Sequence, residues 1–126
     1  MSEPELERVP NARVPSKSSV SVYRFPGGGG LFWAVAASAD KTLDFAGQTQ
    51  AVLDALDGHM RRFGVDRIRV VKAEVVVTDH DNKPIFDQVW SRWMPAGHGP
   101  VRSFVESRMP EGDLVEVIIT AALPAG

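Results

Sequence analysis

The 126-residue chain contains no cysteine. That single absence excludes disulfides, thiolate nucleophiles and thiolate metal ligation. Basic charge is not in excess either: 14 Lys and Arg stand against 16 Asp and Glu, a net of −2. No basic patch stands out, so nucleic acid is not an expected partner. No apolar run is long enough to cross a bilayer as a helix, and no membrane partner is expected. Histidines are few. His59, His80 and His98 lie far apart with no ligand-like spacing, so no metal site is expected.

Familiar motifs are also missing. No G-x-S-x-G elbow is present. "DHDNKPIFDQVW" fails as a calcium loop: Lys83 and Pro84 occupy positions for an oxygen ligand and a glycine, and Trp90 occupies the final glutamate position. "PGGGG" is followed by a strand-like run and no Lys-Ser/Thr, which reads as a plain turn and not as a phosphate loop. The opening "MSEPELERVPNARVPSKSS" has no apolar h-region and does not read as a secretory signal. Its polarity and prolines predict a mobile arm over residues 1–19. A cytoplasmic protein is the simplest expectation.

What is present suits one domain over residues 20–126, with 44% apolar and 24% charged residues in the whole chain. "VSVYRF" (20–25) and "LFWAVAAS" (31–38) read as strands of a hairpin. Over 44–63, Phe45, Gln48, Val52, Leu53, Leu56, Met60 and Phe63 recur at helical spacing, with Asp44 as N-cap and Gly64 just past the end. "RIRVVKAEVVVTD" (67–79) is the strongest strand. Alternation gives it an apolar face of Val71, Ala73, Val75 and Val77, and a mixed face of Ile68, Val70, Lys72, Glu74 and Val76. The mixed face suits contact with another subunit. A helix over 84–93 follows, with Asn82 as cap and Ile85, Phe86, Val89, Trp90 and Trp93 as its apolar side. Trp33, Trp90 and Trp93 fit core or interface anchors. Two more strands, around Arg102 and over 114–123, complete the order β-β-α-β-α-β-β. That order predicts an α+β fold: one sheet with two helices on one face.

"HGPVRSFVES" (98–107) places an arginine inside an apolar strand. Alternation puts Arg102, Phe104 and Glu106 on one face. In the closing strand, Leu114, Glu116 and Ile118 share a face. Two strands joined by the turn "RMPEGD" could bring Arg102 and Glu116 into one cleft. That pair reads either as a structural ion pair or exposed edge charges, or as a carboxylate anchor beside an acid that handles water.

"GQTQAVLDALDGHMRRFGVDRIRVVKAEVVVTD" and "GPVRSFVESRMPEGDLVEVIITAA" resemble the reactive-intermediate deaminase (Rid, YjgF-type) family. The matching features are the Q-x4-L helix, the V-K strand ending in Asp, the P-x-R-S-x-V strand and the V-E-V strand, in family order from Tyr23 to Ala122. The resemblance implies a chorismate-mutase-like fold, a homotrimer with sites between subunits, no cofactor, and hydrolysis of 2-imino or enamino acids to 2-keto acids and ammonia. It implies Arg102 as the grip on a substrate carboxylate, Glu116 as the acid near the attacking water, and Tyr23 on the amino-terminal side of the cleft.

Several pocket positions depart from the family pattern. Ala36, Ala37 and Ser38 replace Ser-Gly-Gln, Asp87-x-x-Trp90 replaces Asn-x-x-Tyr, and Phe104 replaces a small residue. Phe104, Trp90 and Ala37 are therefore expected to shape the substrate pocket. The alternatives are a trimeric protein that binds a carboxylate metabolite without turnover, and a pathway enzyme acting on a larger or aromatic substrate.

Overall fold

Alternating burial along the strands divides the sheet into a covered and an open face. The computed structural model of the protein describes residues 3–126. Its strands are β1 (Leu6–Pro10), β2 (Ser18–Arg24), β3 (Gly30–Ala37), β4 (Val70–Val77), β5 (Val101–Glu106) and β6 (Val115–Leu123); its helices are α1 (Phe45–Arg62) and α2 (Lys83–Trp93). They form one sheet in the order β1-β2-β3-β6-β4-β5, antiparallel except for β4 and β5. A parallel pair needs a long crossover, and α2 supplies it. Val20, Val22, Phe32, Val75, Val117 and Ile119 point under the helices and are almost fully buried. The α+β architecture is as the sequence predicts, with one more strand in front.

That extra strand corrects the reading of residues 1–19 as a mobile arm. Leu6–Pro10 pairs antiparallel with β2, and Arg24 bridges to Glu3 and Glu7 at 2.8 and 2.9 Å. Residues 1 and 2 lie outside the described part. The segment is polar because β1 is an edge strand whose residues remain largely exposed, so burial leaves no imprint on its sequence.

A bulge corrects the faces of β4. The register shifts between Val70 and Lys72. Val70 therefore turns into the core at 3% exposure, while Val71 turns outward at 51%. The open face of this strand holds Val71, Lys72, Glu74 and Val76, and Ile68 is exposed in a short 3₁₀ turn before it.

Asp44 caps α1, its carboxylate accepting from the Gly47 N–H at 2.8 Å. Gly64 ends the helix with φ +70°, a conformation that costs glycine little. Gln48 is fully buried: its Nε2 donates to the Gly112 carbonyl at 2.8 Å, and its Oε1 accepts from the Leu114 N–H at 2.9 Å. One amide thus fixes where β6 begins, and with it Glu116. Asn82 does not cap α2 through its side chain, and Ile85 is exposed; Phe86, Val89, Trp90 and Trp93 form the buried side. Asp57 Oδ2 accepts from Arg67 Nη2 at 3.1 Å and from the Trp93 indole at 3.0 Å, tying the end of α2 to α1. No helix among the described residues is long and apolar enough to cross a membrane.

Candidate functional site

Arg102 lies opposite Ala73, and Phe104 opposite Val75. Both β4 partners are fully buried beneath the helices, so Arg102 and Phe104 project toward the helix layer at the sheet's free edge. The Arg102 guanidinium carbon sits 5.1 Å from the centroid of the Phe86 ring, 5.4 Å from that of Trp90 and 5.9 Å from that of Phe104. Its Nη2 donates to Asp87 Oδ1 at 2.5 Å, and Lys83 Nζ donates to Asp87 Oδ2 at 3.0 Å. Ring faces attract a guanidinium and cover its flat sides, which explains how a cation is tolerated inside an apolar strand. Burial pushes the Asp87 carboxyl up, but hydrogen bonds from Arg102 and Lys83, with their charges, outweigh it and hold it below the usual range.

The remaining donors of Arg102, Nε and Nη1, bond to no protein acceptor among the described residues. Among the described residues every buried side-chain polar atom has a partner, so these donors are ones that reach solvent. An arginine with one donor group held and the rest of its fork free can still take a carboxylate.

Glu116 stands elsewhere. It lies opposite Val76 on one side and Ala37 on the other. Ala73 pairs with both Arg102 and Ile119, and Ile119 is three residues beyond Glu116. Because faces alternate, Arg102 and Glu116 project from opposite faces of the sheet. β4 also lies between their two strands. The turn-linked Arg102–Glu116 cleft expected from the sequence therefore does not form within one chain. The arginine's partner is Asp87, which the sequence reading named only as a pocket departure. The spacing of four signals the Lys83–Asp87 pair along one helix, but nothing local signals Arg102 as the second partner.

The predicted residues fall into separate groups. Arg102, Phe104 and Trp90 are together on the helix side. Ala37 and Glu116 are register partners on the open face. Tyr23 pairs with Leu31, also on the open face, and Leu31 and Ala37 are six positions apart along β3, about 20 Å at strand rise. Ala36 faces the core, and the buried Ser38 donates its hydroxyl to the Asp40 carbonyl at 2.9 Å. His80, unremarked in sequence as a neighbour of this site, packs edge-on against Phe104 with centroids 5.2 Å apart.

The open face carries large apolar side chains in water: Val71, Val105 and Ile118, with Val101 76% exposed at the edge. Lys72 and Glu74 form a loose pair at 3.8 Å among them. Exposed apolar side chains grouped on one sheet face are a feature that interaction surfaces share.

Comparison with known proteins is consistent with this layout. The family model described as Endoribonuclease L-PSP matches residues 34–123. A RutC family protein from Haemophilus ducreyi is 27% identical over 107 residues, covering 84% of this chain and 88% of the relative. The solved structure of a YjgF family member from Neisseria meningitidis superposes with a TM-score of 0.78 at 25% identity, covering 92% of each chain. A Rid family protein of unknown function from Yersinia pestis gives a TM-score of 0.74 at 22% identity, covering 90% of this chain and 92% of that one.

Proposed function

This chain belongs to the Endoribonuclease L-PSP family, which takes in the YjgF, RutC and Rid proteins, and from that premise we propose that it hydrolyses 2-imino or enamino acids to keto acids and ammonia. The observation that carries the proposal is the partly free guanidinium of Arg102 at an aromatic-lined sheet edge. In this reading the guanidinium holds the substrate carboxylate and so fixes the plane of the adjacent C=N bond. Water adds its oxygen to the imine carbon while Glu116 takes its proton. Glu116 returns that proton to the imine nitrogen to give the carbinolamine, whose hydroxyl then loses its proton as the nitrogen gains one, so that the C–N bond breaks, ammonia leaves and the carbonyl remains. Orientation and one acid/base group each contribute on the order of 10²- to 10⁴-fold.

Arg102 and Glu116 project from opposite faces of one chain, so in this reading they meet across a subunit boundary. The apolar open face supports burial against further copies, and the family resemblance makes the assembly a trimer. Phe104 and Trp90 beside the anchor favour a flat or apolar substrate side chain. A ribonuclease reading has no comparable support, because net charge is −2 and the exposed charges of β4 are of mixed sign.

The test is complementation between subunits. Arg102→Ala and Glu116→Gln proteins should each be inactive on freshly generated 2-imino acids. After dissociation and remixing in equal amounts, about a quarter of the sites in a randomly mixed trimer combine an intact Arg102 with an intact Glu116 from a neighbour, and activity returns in that proportion. No recovery in demonstrably mixed assemblies would overturn the shared site.

A further inference from the structure

Arg102, Asp87 and Lys83 form a chain of charges in which one carboxylate is shared by two cations through different oxygens. Two positive charges and one negative leave the cluster with one net positive charge. Asp87 occupies Nη2 of the guanidinium but not Nε or Nη1. The faces of the Phe86, Trp90 and Phe104 rings lie beside the guanidinium and carry no charge to pair with an oxyanion, the indole N–H of Trp90 being their one neutral donor. Lys83 is already turned toward Asp87, and its ammonium also lies 6.0 Å from the centroid of the Phe104 ring.

We infer that Asp87 is a specificity-determining residue that trims the anchor cluster to one positive charge, so that the site selects monocarboxylates over dicarboxylates. The inference rests on the proposed role of Arg102 as the carboxylate anchor. One carboxylate satisfies the free donors of Arg102 and neutralises the cluster. A second carboxylate on the same ligand meets the fixed negative charge of Asp87 and ring faces, and the remaining cation, Lys83, is already compensated by Asp87. A methyl or methylene in the same place meets ring faces instead. An aspartate is suited to this because it lies one helical turn from Lys83 and within reach of the neighbouring strand. Asparagine at this position would accept from Arg102 through its amide oxygen yet leave both cations uncompensated.

The experiment compares two probes with the same five-carbon skeleton, 2-oxopentanoate and 2-oxoglutarate, by calorimetric titration of the full-length protein at neutral pH. The unaltered protein should bind the monoanion more tightly. Asp87→Asn keeps size and the hydrogen bond to Arg102, and should shift the affinity ratio toward the dianion by about three- to tenfold, an effect that salt diminishes. Lys83→Met removes a cation and should shift the ratio the opposite way while weakening both probes. An unchanged ratio in both variants, with Arg102→Ala losing both probes, overturns the role of Asp87 and leaves the anchor intact. Arg102→Ala binding both probes at full affinity overturns the anchor and the inference together. Dianion preference in the unaltered protein overturns the inference alone. Absence of saturable binding of either probe at millimolar concentration overturns both.

Discussion

Replacing Arg102 by alanine separates a ligand-holding arginine from one that holds the fold. The structure sets the scale of the stability loss. The Arg102 side chain is 18% exposed, but its partner Asp87 is 39% exposed and has Lys83 in reserve. Removing the guanidinium therefore strands no isolated buried charge, and the 3–5 kcal/mol typical of breaking a buried pair does not apply. The pair itself falls in the range of about 0.2–1 kcal/mol for solvent-screened ion pairs. Contact with the buried rings of Phe86 and Trp90 and the half-buried ring of Phe104 adds roughly 0.5–1 kcal/mol, the range for a cation that still reaches solvent. A total of about 1–2 kcal/mol corresponds to a fall in Tm of roughly 3–10 °C for a chain of this size. Binding should suffer far more. Two charge-assisted hydrogen bonds to a carboxylate disappear, for a loss on the order of a hundredfold in affinity. Arg102→Lys should recover the stability but only part of the binding, because an ammonium cannot form the two-pronged contact. The assay is paired: thermal unfolding by circular dichroism at fixed protein concentration, and calorimetric titration with 2-oxopentanoate. A fall in Tm well beyond 10 °C, on the scale set above, with affinity retained would refute the reasoning.

Two further outcomes follow from the same structure. Light scattering should give about three times the 13.7 kDa chain mass, and Ile118→Lys on the open face should lower it; a stable monomer at micromolar concentration would refute assembly through that face. Burial, and secondarily the charge of Arg62, push the His59 imidazole below its usual value. The unfolded chain then binds the proton more readily, so stability is complete above about pH 6.5 and falls as pH drops from there toward the folded-state value. Chemical denaturation at pH 7.5 and 5.5 should show this loss, and His59→Gln should reduce it; an identical slope in the variant would refute the assignment.

Much of the fold was legible because its signals are local. The three- and four-residue spacing from Phe45 to Met60 specifies α1, and Asp44 and Gly64 mark its ends. Alternation in "VRSFVE" alone places Arg102 and Phe104 on one face, and the structure keeps them there. The relation of Arg102 to Glu116 was not legible. Their strands are consecutive in sequence, and nothing local says that β6 leaves β5 to enter between β3 and β4. That choice rests on pairing energies summed over distant segments. It puts β4 between the two residues, while the register sets them on opposite faces. Nor does any local signal mark the bulge at Val70 and Lys72, since Val70 and Val71 suit either face equally. Leu6–Pro10 is a strand only because β2 offers it an unpaired edge. The sequence by itself determined which side chains share a face wherever a strand or helix runs unbroken, as in α1 and β5, since that follows from backbone geometry within a few residues. Which faces meet, and that Asp87 is what Arg102 holds, only the tertiary structure decided, because those contacts join residues whose separation along the chain carries no record of their distance in space.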